Sequence, residues 1–211
     1  LCGRVLFLVF VGTSLCAQIG VSKNVAYHGS SYLNIIEHLD EAKDLVDNNN
    51  LSKAIYVVST ILEDLQLERK KTLAAFFPEK FAGYSYNNEP LDFGFDGEEF
   101  GVLFSRQYTS TENHTIDVSL VFSDPSIREY ERIAKNPKLA KSLYNAEIIK
   151  IKGKFMALEK FSLDNRFCER NIIIDSQLLL NVVANGVQSN KDLDLFNEQV
   201  DFDGLDNYLL D

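Results

Sequence analysis

Apolar residues recur every three or four positions over residues 31–47 and again over residues 52–77, which is the spacing of one face of an α-helix. Asparagines at 48–50 separate the two stretches, and Pro78 ends the second because a proline clashes with the preceding helical turn. The pattern predicts an antiparallel helical hairpin over residues 30–78. The residues expected on the inner side of its second helix are Ile55, Val58, Ile61, Leu62 and Leu65.

After Pro78 apolar residues alternate with polar ones, and this period of two indicates β-strands. Short turns, such as the one at Gly153, join strands that follow each other in sequence, and such strands pair antiparallel. Helical stretches begin at Pro125 and Lys138, and an acidic amphipathic stretch over 190–210 closes the chain. The predicted strands are 100–108, 116–122, the two arms of 148–161, 171–174 and 178–183.

The fold class that follows from this order of elements is α+β. We expect the helical hairpin to precede an antiparallel sheet of about six strands over residues 79–211, with helices covering one side of the sheet. Residues 83–101 follow neither period and are rich in aromatic and acidic side chains, so we expect a loop there.

Residues 1–17 have the layout of a secretory signal peptide. Arg4 precedes a short apolar run at residues 5–11, and small or polar residues then lead to Ala17, after which we expect cleavage. A retained anchor is the alternative, whereas acylation of Cys16 is disfavoured by the large residue before it. We therefore expect a periplasmic or secreted protein with no stable membrane span after cleavage.

Composition and charge narrow the classes of protein further. The chain has 211 residues, of which 45% are hydrophobic, and a formal net charge of -10. These values are typical of a globular domain, and the acidic balance argues against binding to nucleic acid, which needs Lys and Arg against the phosphates. Cleavage after Ala17 leaves Cys168 as the single cysteine, so we expect a buried packing thiol and no internal disulfide.

The sequence carries no local motif for catalysis or cofactor binding. His28, His38 and His114 lie in separate regions, and no pair of histidines or cysteines has the spacing of metal ligands. The glycines do not stand between a strand and a helix, as a phosphate-binding loop requires. We expect no cofactor and assign no catalytic residue, although an active site assembled from dispersed residues would leave no local trace.

Several short motifs lie between about residues 50 and 205. They are Phe76-Phe77-Pro78 with Gly83-Tyr84, Ser105-Arg106-Gln107-Tyr108, the alternating strand 118–122, Asn136-Pro137-Lys138-Leu139 and Ile151-Lys152-Gly153. Together they resemble a family of exported bacterial proteins of unknown function. The resemblance implies a periplasmic or secreted domain and assigns no catalytic residue. The order of elements is also loosely similar to PsbP/Mog1-like folds, a likeness that implies no function.

Arg106 interrupts an apolar strand face between Phe104 and Tyr108. Burying an unpaired guanidinium is very costly, so one interpretation is that Arg106 stacks on Tyr108 and pairs with an acid such as Glu131. The other is that Arg106 and Tyr108 contact an anion or a partner in a pocket. We therefore treat Arg106 and Tyr108 as candidate contacts.

Two further groups are candidate contacts for an anion or a partner. One is a set of lysines on the predicted central hairpin, which either protect a strand edge or dock an anionic partner. The other is a set of aromatic residues in the acidic loop, which either pin the loop to the sheet or form a contact surface. The lysines are Lys150, Lys152 and Lys154, and the aromatic residues are Tyr84, Phe93 and Phe95.

These observations predict an exported bacterial protein that acts as a non-catalytic binding or envelope accessory domain. Its partner would be an unknown protein or envelope component, and the sequence leaves the oligomeric state open. The alternative is a metal-independent hydrolase or transferase with a dispersed active site.

Overall fold

The computed structural model describes residues 29–86 and 102–208. The predicted leader at 1–17 and the candidate residues Phe93 and Phe95 lie outside these ranges. The first two elements are the helices α1 (Gly29–Asp47) and α2 (Leu51–Ala74). A short turn joins them, in which Asn49 has a φ of 55°, a conformation that asparagine tolerates better than most residues.

Eight strands form one antiparallel sheet in the described part of the chain. The strands are β1 (Lys80–Phe81), β2 (Tyr84–Tyr86), β3 (Val102–Ser110), β4 (Thr115–Phe122), β5 (Glu147–Ile151), β6 (Phe155–Ser162), β7 (Phe167–Ile173) and β8 (Leu178–Asn185). Their order in the sheet is β1, β2, β3, β4, β8, β7, β6 and β5, so that two meanders meet where β4 pairs with β8.

Four more helices complete the described part of the chain: α3 (Pro125–Ala134), α4 (Pro137–Tyr144), α5 (Lys191–Gln199) and α6 (Phe202–Tyr208). Asp124 caps α3 by accepting a hydrogen bond from the Ser126 backbone N–H, and Pro125 occupies the first turn. The acidic stretch predicted as one closing helix is two, because Val200 is extended (ψ 133°) and ends α5.

The prediction of an α+β fold with an antiparallel sheet is confirmed, but the estimate of about six strands is wrong. The two additional strands are β1, which lies between the predicted hairpin and the predicted loop, and β2, which lies within the predicted loop. They contain two and three residues, too few to display an alternation of apolar and polar positions.

Helices lie on both faces of the sheet, not on one side as predicted. Ile116, Val118 and Leu120 of β4 point into the larger core, which the end of α2 and the helices α5 and α6 complete. Val121 points the other way, into a smaller core under α3 and α4. The period of two along each strand divides the side chains between these two cores.

Candidate functional site

The hairpin is held together by small and branched apolar side chains between its helices. Ile35 and Ala42 of α1 pack with Val57 and Ile61 of α2, and all four are buried. Beyond this contact Leu73, at the end of α2, enters the large core of the sheet domain. The sheet domain therefore anchors one end of α2.

A second row of apolar residues lies one position after the inward-facing residues on each helix, and these side chains are exposed. Their exposed fractions range from 44% to 67%. We call this surface the hairpin face. It consists of Ile36, Leu39 and Val46 on α1 and Leu51, Ile55, Val58, Leu62 and Leu65 on α2.

The two exposed rows lie on the same side of the hairpin. Each residue of an α-helix turns the side-chain direction by about 100°. Because α1 and α2 run in opposite directions, a step of one residue past the inward position rotates both rows toward the same side. The hairpin face is therefore an apolar surface two helices wide, interrupted on α1 by the exposed Lys43, which follows the inward-facing Ala42.

The outcome corrects the prediction for α2. Of the residues expected on its inner side, only Ile61 is buried against α1, whereas Ile55, Val58, Leu62 and Leu65 are exposed. The apolar positions of α2 form two adjacent rows, and one neighbouring helix covers only one of them. A stripe wider than a single helix contact is the signal in the sequence that could have revealed the hairpin face.

The remaining sides of the hairpin carry mostly polar and charged groups, together with the exposed Tyr56 and Leu67. An exposed acidic row runs along the outer edge of α1 and consists of Glu37, Asp40, Asp44 and Asp47. The side opposite the hairpin face contains a groove of about 470 Å³, lined by His38, Glu41, Leu45, Lys53, Tyr56, Val57 and Thr60. The apolar surface of the hairpin is thus bordered by charged and polar groups, as interaction surfaces commonly are.

Arg106 lies in the large core and is only 9% exposed. Its guanidinium carbon is 4.1 Å from the ring centroid of Tyr86 and 6.0 Å from that of Tyr108, so it stacks on Tyr86 and not on Tyr108. Its Nη1 donates to the Pro78 carbonyl oxygen at 3.2 Å. Within the described ranges Arg106 forms no salt bridge, and Glu131 belongs to α3, which covers the opposite face of the sheet.

Tyr108 and Tyr84 are both buried and hydrogen-bonded. The Tyr108 hydroxyl donates to the Pro78 carbonyl oxygen at 2.7 Å, and the Tyr84 hydroxyl donates to Asp192 Oδ2 at 3.2 Å. Burial, and then the negative charge of Asp192, raise the pKa of Tyr84 above its ordinary value. In the described structure both tyrosines fix the β1–β3 edge to the neighbouring elements.

The three candidate lysines do not form one exposed patch. Lys152 lies in the β5–β6 turn, and its Nζ donates to the Val200 carbonyl oxygen at 2.7 Å. Lys154 Nζ donates to Asp206 at 2.6 Å, and this hydrogen bond raises the pKa of Lys154. Lys150 is exposed on β5, the edge strand of the sheet. Two of the three thus tie the turn to the end of α5 and to α6.

A buried ionic cluster that was not predicted from the sequence lies in the large core. Arg170 on β7 is 1% exposed, and its Nε donates to Glu159 Oε2 at 2.6 Å. Its Nη2 donates to Asp194 Oδ1, also at 2.6 Å, while Asn190 Nδ2 donates to the other oxygen of Glu159 at 3.1 Å. An arginine at an inward position of β7, between Cys168 and Ile172, was the available signal.

Cys168 is fully buried beside this cluster. Burial, and then the negative charge of Glu159, raise the pKa of the thiol to about 12. At neutral pH the group is a protonated thiol and not a nucleophilic thiolate.

The part of the second sheet face that α3 and α4 leave uncovered is polar. Gln107 donates to Asp117 at 2.7 Å, and Asn181 donates to Asn171 at 2.8 Å. Over the described ranges no group of three or more histidine, cysteine or acidic residues is placed to hold a metal ion. Nor is any described helix both long and apolar enough to cross a membrane.

Comparison of the chain with protein families, with curated proteins and with solved structures gives no match. The resemblance to exported bacterial proteins therefore stays a prediction drawn from short motifs. What the structure defines is a class of architecture: an α+β domain with an open antiparallel sheet, extended by a helical hairpin with one exposed apolar face.

Proposed function

We propose that the chain is an exported bacterial binding domain that contacts another protein through the hairpin face and catalyses no reaction itself. The observation that carries this proposal is the pair of neighbouring rows of half-exposed apolar side chains on α1 and α2. Large apolar patches with polar borders are uncommon on proteins that act alone, and they commonly mark protein–protein contacts. Apolar surface gains about 25 cal/mol for each Å² removed from water, so a partner that covers the face is favoured.

The position of the hairpin supports this role. Leu73 and Phe77 hold the end of α2 in the large core, while the rest of the hairpin packs mainly on itself. The α2 residues of the hairpin face precede this anchored end of the helix and are exposed in the described structure. Arg106 and Tyr108, by contrast, hydrogen-bond to Pro78 at the hairpin's base, which favours a supporting role over direct contact with a partner.

The leader predicts a specific processing event. We expect mass spectrometry of the purified protein to find Gln18 as its first residue. Val9→Asp should prevent processing, because a charge in the apolar run weakens the signal. Val21→Asp, which lies after the predicted cleavage site, is the matched control and should be processed normally. Recovery of the untrimmed wild-type chain from the cytosol would contradict export.

Site-directed photocrosslinking in cells tests the contact itself. A photoreactive benzoylphenylalanine replaces Leu62, in the middle of the hairpin face, and in a matched strain it replaces Leu163, which is 61% exposed on the sheet domain. We expect a discrete adduct from position 62 and none from position 163. Without an adduct from position 62 the proposed contact surface is wrong. An adduct found equally from both positions would show only non-specific proximity.

A further inference from the structure

The hairpin face has the shape of one half of a four-helix bundle, in which two helix pairs bury their apolar sides against each other. We propose that its partner is a second copy of this chain, and that two hairpins form such a bundle at the centre of a dimer. This inference rests on the proposed function, because it identifies the partner of the same surface.

The exposed area is sufficient for a stable dimer. The eight side chains of the hairpin face are each about half exposed, and together they offer on the order of 700 Å² of apolar surface per copy. A standard protein–protein interface buries about 800 Å² on each partner. The polar residues that border the face would supply the remaining area.

The spacing of the exposed residues is that of a helix-packing seam. On α2 the intervals from Leu51 through Ile55, Val58 and Leu62 to Leu65 alternate between four and three residues. Positions with this spacing form the knobs and holes of coiled coils and four-helix bundles. A seam of this kind fits another helical seam, and a second copy presents one with the same spacing.

Charge disfavours an anionic lipid surface and selects the arrangement of the two copies. The acidic row on the outer edge of α1 would be repelled by an anionic lipid surface, and so would the net charge of -10. In a symmetric pair α1 can face α1 or α2 of the other copy. The first arrangement brings two acidic rows together, whereas the corresponding edge of α2 carries a single acid, Glu63, among the uncharged Tyr56, Ser59 and Gln66. We therefore expect α1 to pack on α2 of the second copy.

Light scattering during size-exclusion chromatography, together with sedimentation equilibrium, tests the dimer on the protein as the cell processes it. We expect the wild type to be a dimer at micromolar concentration. Leu62→Glu should raise the dimer dissociation constant by at least about 100-fold, because it buries an unpaired carboxylate in the seam. Leu163→Glu places the same substitution at a similarly exposed leucine elsewhere and should remain dimeric.

A second variant keeps the test valid if Leu62→Glu does not fold. Ile55 is the most exposed residue of the hairpin face, at 67%, so Ile55→Lys should leave the circular dichroism spectrum unchanged and still produce monomers. A wild type that is monomeric at 100 µM, on the order of a weak complex, would overturn the inference, as would dimers that survive both substitutions. If the photocrosslinked adduct from position 62 contains a different protein, the dimer is wrong and the proposed contact surface stands.

Discussion

Arg170→Ala is expected to lower the free energy of unfolding by about 3–5 kcal/mol, the cost of removing one partner from a buried ion pair. Arg170 is 1% exposed and Glu159 is 8% exposed, and their side chains meet at 2.6 Å. Without the guanidinium, the Glu159 carboxylate keeps the hydrogen bond from Asn190 and loses its opposite charge. Urea denaturation followed by circular dichroism measures the difference.

Two further variants show whether the loss of stability in Arg170→Ala comes from the buried charge left without its partner. Glu159→Leu with Arg170→Met removes both charges and fills similar volumes, so we expect it to recover most of the lost stability. Arg132→Ala removes an exposed pair with Glu129, whose side chains are 63% and 53% exposed, and should cost less than about 1 kcal/mol. Equal losses from Arg170→Ala and Arg132→Ala would show that the buried cluster contributes no special stability.

The second large effect is a loss of stability at alkaline pH. The pKa of Cys168 is about 12 in the folded protein against an ordinary value of 9.0. The folded state therefore keeps a proton that the unfolded state releases above about pH 9, so this contribution to stability is complete below pH 9 and is lost as the pH rises toward 12. The full difference corresponds to about 4 kcal/mol, since one pKa unit corresponds to about 1.4 kcal/mol.

Cys168→Ala tests this assignment. Between pH 9 and pH 10 the free energy of unfolding should fall with pH in the wild type, and the slope should be smaller by about one proton in the variant. The slopes are compared because the variant also loses packing contacts at every pH. Burial is the chief cause that raises the pKa values of Tyr84 and Tyr108. Above pH 10 these tyrosines should make the free energy of unfolding fall more steeply with pH in both proteins. Identical slopes for wild type and variant between pH 9 and pH 10 would contradict the role of Cys168.

The spacing of apolar residues along the chain was sufficient to predict the long helices and strands of the fold. The nine residues of β3 and the twenty-four of α2 contain enough repeats to distinguish a strand from a helix. The strands β1 and β2 are too short for this test. β2 is ordered by pairing with β3, and β1 by pairing with β2 and by the stacking of Phe81 on Tyr84. The pairing of β2 with β3 joins residues as far apart as Tyr84 and Ser110, and periodicity does not report such contacts.

The candidate surface was predicted less well than the fold. A helical stripe identifies Ile61 and Leu62 as apolar, but the choice of which one faces α1 depends on the position of the other helix. The cluster around Arg170 poses a similar problem, because its partners Glu159 and Asp194 lie on other elements and the acidic chain offers many carboxylates. Glu159 and Asp194 come to lie beside Arg170 only through the pairing of β6 with β7 and the packing of α5 on the sheet.

The junction of the two meanders has a consequence for the order of folding. Every other pairing in the sheet joins strands that follow each other in sequence, whereas β4 meets β8 through partners as distant as Thr115 and Asn185. Closing so long a loop costs entropy before any contact repays it, and non-local pairings of this kind slow folding. Each half of the sheet is thus able to assemble early from local contacts, and we expect the pairing of β4 with β8 to be the slow step of folding.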